Sequence, residues 1–114
     1  AAAPSQFAAE AALTGPQDVV TEMTESFRRR RDLVVEGLRD IGLSVPTPGG
    51  AFYCMPEVPE GFVDECLDRG VVIVPGEAFG EAGRGKARLS YATDEESLEA
   101  ALEIMAYAYD AVTA

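Results

Sequence analysis

The sequence predicts an α+β fold: a small three-stranded sheet with helices packed on one face, preceded by a long linking helix. Three observations carry this. Apolar residues from Val19 to Ile41 recur at helical spacing. Three short runs, "AFYCM", "VVIV" and "ARLSY", are β-branched or aromatic and are separated by Pro- and Gly-rich segments. Behind "TDEE" the helical period returns and runs to the end.

Taken in order, Ala1 to Thr14 has helical composition, with Phe7 and Leu13 as its apolar pair and Pro4 near a first turn. Pro16 suits the first position of the second helix, where its missing N–H costs nothing. That helix carries Val19, Val20, Met23, Phe27, Val34, Leu38 and Ile41, and stops at Gly42 in a left-handed cap. Within it lie four successive arginines, Arg28 to Arg31. Neighbours on a helix point about 100° apart, so these do not form one basic face. Glu25, and Asp32 four positions after Arg28, pair the run into a solvated surface.

"PTPGG" reads as a loop, and Ala51 to Met55 as a strand with Phe52 and Cys54 on one face and Tyr53 and Met55 on the other. "EGFVDECLDRG" is a short amphipathic helix using Phe62, Val63, Cys66 and Leu67, stopped by Gly70. Val71 to Val74 predicts a strand buried on both faces. "PGEAFGEAGRG" is too glycine-rich for regular structure. In the third strand Ala87, Leu89 and Tyr91 share one face, and Lys86, Arg88 and Ser90 the other. Thr93 to Glu96 resembles a capping box, and Leu98, Leu102, Met105, Tyr109 and Val112 form the buried stripe of the last helix.

Composition removes several classes of function. Twenty acids against nine bases leave a net charge of −11, which argues against a nucleic-acid partner. Lys86 is the one lysine, and an acidic, lysine-poor chain fits work in concentrated salt, where self-repulsion is screened. The chain has no histidine, and Cys54 and Cys66 form no CxxC. No metal site is expected, and a Ser-His or Cys-His pair cannot form within the chain. Both cysteines read as small buried hydrophobes. No apolar run approaches the roughly 20 residues of a membrane span, and the start lacks the pattern of a signal peptide, so a cytoplasmic location and no membrane partner are expected.

On residue type alone Arg88 has two readings. It faces water beside a nearby acid, or it holds something negative. The run "GVVIVPGEAFGEAGRGKARLSYATDEESLEAALEIM" resembles the C-terminal part of class I/II, aspartate-aminotransferase-like, pyridoxal-phosphate-dependent aminotransferases. Val74-Pro75-Gly76, Phe79-Gly80 and Arg88-Leu89-Ser90-Tyr91-Ala92 stand where that family has its strand, loop and "RLSYA" segment. "PGGAFYCMPEV" resembles its "GAFY" strand, and "AALTGPQDVV…RRRRDLVVEGL" its long interdomain helix.

The resemblance implies that Arg88 binds the α-carboxylate of an amino-acid substrate, and that Phe79 and the Pro48-Gly49-Gly50 turn line the mouth of that site. It implies pyridoxal 5'-phosphate as cofactor, held by a large domain outside these residues, so that no catalytic or cofactor-binding residue falls within them. It also implies amino-acid and 2-oxo-acid substrates, and a homodimer in the intact enzyme. The chain then divides into an N-terminal segment with the interdomain helix, 1–42, and a small α+β domain, 43–114. Alone it is expected to be inactive, with Ala1 to about Met23 poorly packed. The alternative is a free-standing acidic α+β module that binds a ligand or protein without catalysis.

Overall fold

A computed structural model describes all residues, 1–114. Helix α1 spans Ala3–Thr14 and α2 spans Asp18–Ile41. Strand β1 (Tyr53–Cys54), helix α3 (Phe62–Asp68), strand β2 (Val74–Pro75), strand β3 (Ala87–Ser90) and helix α4 (Glu95–Thr113) follow. The sheet order is β1-β3-β2, all antiparallel, which places β3 at the centre.

One hydrophobic core holds these elements together. Val34, Val35 and Leu38 of α2, Phe62 and Cys66 of α3, and Leu98, Met105 and Ala108 of α4 meet Cys54, Ala87, Leu89 and Tyr91 from the sheet. The expected faces of β3 are therefore found: Ala87, Leu89 and Tyr91 are buried, while Arg88 is half-buried and Ser90 exposed. Leu98 and Met105 of the expected α4 stripe are buried, with Leu102, Tyr109 and Val112 packed at its edge. Gly42 caps α2 at φ 115° as expected.

The N-terminal part behaves differently. No residue of α1 is buried, and Val19, Val20 and Met23 of α2 are all more than half exposed. The buried residues of α2, Val34, Val35 and Leu38, all lie in its second half.

Several local expectations are corrected. The second strand is not Val71–Val74 buried on both faces. Only Val74 and Pro75 pair with β3, and Val72 is 77% exposed. β2 is an edge strand with a solvent side, and a β-branched run cannot distinguish that from a central one. The first strand keeps only Tyr53–Cys54, because Ala51 turns the chain at φ 60°. Pro16 precedes α2 rather than opening it. Gln17 takes the N-cap, and its side-chain amide donates back to the carbonyls of Ala12 (2.9 Å) and Gly15 (3.0 Å). The N-cap of α4 is Asp94, not Thr93: its carboxylate accepts from Ser97 N–H at 2.8 Å. A carboxylate at this end also meets the positive pole of the helix, which a hydroxyl does not exploit. Leu67 faces solvent. Asp32 pairs with Arg31 rather than Arg28, whereas the Glu25–Arg28 pair forms.

Candidate functional site

The central strand presents Arg88 on the face away from the helices. Register fixes its neighbours. Val74 pairs with Arg88 and Ser90 with Tyr53, so these four share that face. Tyr53 reaches the guanidinium from β1, with the Arg88 Cζ 4.4 Å from the ring centroid. Phe79 reaches it from beyond β2, at 4.1 Å. The guanidinium is thus flanked by an aromatic ring from each side of its strand. No carboxylate pairs with it: the four ion pairs of the chain use Arg28, Arg29, Arg31 and Arg69.

Phe79 is held there by its loop. The segment expected to be irregular forms two 3-10 turns, Gly76–Phe79 and Glu81–Gly83. Gly76 and Gly83 are buried against each other, and a β-carbon on Gly76 would stand 2.2 Å from the Gly83 carbonyl oxygen. The loop closes onto β3 through Gly76 N–H, which donates to the Lys86 carbonyl at 2.8 Å. The N–H groups of Gly80, Gly83 and Arg84 also donate within the segment. They are committed to the turn, and do not form a free anion cradle.

Tyr53 is held from the other side. Tyr91 is buried, and its hydroxyl donates to the Ala51 carbonyl at 3.2 Å while its N–H donates to the Phe52 carbonyl at 2.9 Å. Burial pushes the Tyr91 phenol above its ordinary pKa, with the neighbouring Cys54 adding to this. These bonds hold Ala51 in the left-handed region, the one non-glycine residue there. Phe52 packs tilted against Tyr53 at 4.5 Å and stacks on Phe27 of α2 at 6.0 Å, and Arg30 lies over Phe27 at 5.3 Å. An aromatic row therefore runs from α2 to Arg88 and Phe79.

Phe79 lies against Arg88. The Pro48-Gly49-Gly50 turn does not: it lines a cavity of about 310 Å³ with Thr24, Phe27, Arg28, Arg31 and Tyr91. Lys86 lines a separate groove with Glu60, Asp64 and Glu77. Tyr53 was missed by sequence reasoning. Its role depends on strand order, and the only signal was an aromatic residue in a strand-like run.

The sequence model of the family described as Aminotransferase class I and II matches residues 2–105. The chain belongs to that family. The family is pyridoxal-phosphate-dependent. The chain is 41% identical over 104 residues to an LL-diaminopimelate aminotransferase of Halothermothrix orenii, covering 86% of this chain and 27% of that protein. It is 46% identical over 124 residues to an aspartate aminotransferase of Rhizobium meliloti, covering 93% and 30%. The crystal structure of an aromatic aminotransferase from Pyrococcus horikoshii OT3 superposes with a TM-score of 0.87 at 39% identity, covering 93% of this chain and 31% of that one. The chain thus spans about 30% of the length of the relatives it matches. No helix is long and apolar enough to cross a membrane.

Proposed function

We propose that this chain is the small domain of a longer aminotransferase, and that Arg88 receives the α-carboxylate of its amino-acid and 2-oxo-acid substrates. One observation carries the reading: a half-buried guanidinium on a sheet face, flanked by two rings, with no acid of its own chain paired to it. A planar fork of donors matches a carboxylate bidentately, and a strand holds it more rigidly than a loop would. The surrounding rings exclude water and strengthen the pair.

Within this reading the exposed apolar row of Val19, Val20 and Met23 is covered by the remaining domain. Closing the small domain, which this chain forms, over the substrate excludes water and aligns Cα. Pyridoxal phosphate, when bound, supplies the electron sink that makes proton removal at Cα possible. Within this reading its cradle lies in the remaining domain; Lys86 lines a groove with Glu60, Asp64 and Glu77, and Gly80, Gly83 and Arg84 spend their N–H groups within their own loop. The chain's share of the chemistry is to bind and orient the carboxylate.

The test uses the full-length protein. Arg88→Leu should weaken amino-acid binding by about 2–5 kcal/mol, roughly 30-fold or more in KM. Turnover of an amine that lacks an α-carboxylate should be unaffected. An unchanged KM for the amino acid would defeat the proposal.

A further inference from the structure

We infer that Phe79 is a positioning residue for the carboxylate site, acting through Arg88 by its aromatic face rather than by its bulk. The inference rests on the reading of Arg88 given above and adds to it a residue that governs how the guanidinium is presented.

Phe79 does not pack into the core of this chain. It is 50% exposed and stands outside the hydrophobic core and the apolar residues packed at its edge. Singly exposed apolar side chains are ordinary on a protein surface, so it is the contacts of this ring that give it a role. The contact is with the Arg88 guanidinium, 4.1 Å from the ring centroid. At that distance the ring quadrupole attracts the cation. Tyr53, at 4.4 Å, approaches from the opposite flanking strand, and is itself tied into the row through Phe52. Rings on both flanks restrict a long, rotamer-rich side chain to few conformations. The N–H edge is left as the surface on which an anion can land. The ordering cost is then met before the substrate arrives, which raises affinity without a new contact.

The loop is built to hold this placement. Phe79 ends the 3-10 turn Gly76–Phe79, whose first residue is locked against Gly83 by the closest glycine contact in the chain. The Gly76 N–H bond to Lys86 ties the same turn to the strand that carries Arg88, two residues upstream of it. Ring and guanidinium are thus referenced to one strand.

The test is a double-mutant cycle in the full-length protein, with KM measured for an amino acid and for an amine lacking the α-carboxylate. Phe79→Leu keeps size and apolarity but removes the ring face. It should raise the amino-acid KM roughly 3- to 30-fold, the range expected from one cation–π contact at a partly desolvated site. Phe79→Tyr and Phe79→Trp should restore most of the loss. The amine should not respond to any of them, and Phe79→Leu should have no further effect in an Arg88→Leu background. Thermal midpoints within a few degrees of the parent establish that each variant is folded.

Three results overturn the inference while leaving the role of Arg88 intact: Phe79→Leu behaves as the parent; Tyr and Trp are as damaging as Leu; or the loss persists undiminished when Arg88 is already Leu. If Arg88→Leu itself leaves the amino-acid KM unchanged, the carboxylate reading fails, and this inference fails with it.

Discussion

Gly76 and Gly83 occupy each other's side-chain space: a β-carbon on Gly83 would lie 2.0 Å from the Gly76 carbonyl oxygen, and one on Gly76 2.2 Å from that of Gly83. Both are buried, and the obstacle is backbone, which cannot swing aside as a side chain would. Either Gly→Ala change must open the turn. We expect roughly 1–3 kcal/mol of destabilisation from the overpacking, read as a lower urea midpoint. We also expect weakened amino-acid binding in the full-length protein, because Phe79 moves with the turn. A variant of parental stability and affinity would show that the contact does not govern the loop.

The cap of α4 gives a pH-dependent prediction. Hydrogen bonds from Ser97, first from its N–H and then from its hydroxyl, hold the Asp94 carboxyl below its ordinary 3.8. A depressed folded-state pKa means the unfolded chain takes up the proton first as pH falls. The contribution is therefore present above about pH 3.8 and lost as pH drops below it. Asp94→Asn keeps a capping oxygen but cannot titrate. Its thermal midpoint should fall less steeply than the parent's between pH 5 and 2.5, about the span over which the two states differ in bound protons. Parallel slopes would show that Asp94 is not stabilised by folding.

The two cysteines titrate in the opposite sense. Burial pushes both thiols from 9.0 to about 11, with Glu65 adding to the effect at Cys66. Folded thiols keep protons that unfolded thiols release, so this contribution is complete below about pH 9 and disappears as pH rises towards about 11. Both should resist an aromatic disulfide reagent at about pH 8, just below the ordinary thiol pKa, and react at once in denaturant. Rapid labelling of the native chain at that pH would place at least one thiol at the surface.

What the sequence disclosed, and what it did not, follows from the range of each interaction. Periodicity within a helix is local, so α2, α3 and α4 and the faces of β3 were legible from Val34, Leu38, Phe62, Leu89 and Met105. The burial of Val71 to Val74 was not, because whether a strand is central or at an edge depends on which strands lie beside it. Arg88 was flagged by a motif. Its partner Tyr53 needed the register Tyr53↔Ser90, a contact between segments 37 residues apart in the chain. The cap at Asp94 rather than Thr93 turned on one residue of phase, which composition does not resolve.

Salt should stabilise the chain. Its net charge is −11, and four exposed ion pairs leave most acids without a basic partner. Raising ionic strength from 0.1 M to 1 M shortens the screening length from about 10 Å to about 3 Å. The thermal midpoint should rise by several degrees between dilute buffer and molar KCl. Substituting Lys for Glu99 and Glu103, both exposed on α4, should reduce that rise. A midpoint indifferent to salt would show that the acids are too far apart to repel.

The N-terminal helix should be dispensable for the stability of this chain. α1 contributes no residue to the core, and its tether to α2 is the Gln17 amide bonded to the Ala12 and Gly15 carbonyls, an exposed contact. Hydrogen bonds of this kind contribute little net free energy. Deleting residues 1–14 should leave the unfolding free energy of the chain, measured by urea titration, within about 0.5 kcal/mol of the parent, the range of surface changes. Leu38→Ala, in contrast, removes a fully buried side chain from the half of α2 that carries its buried residues, and should cost about 2–5 kcal/mol. If the deletion costs as much as the cavity, α1 is packed in solution against another surface, and the concentration dependence of the midpoint will show whether that surface belongs to a second copy.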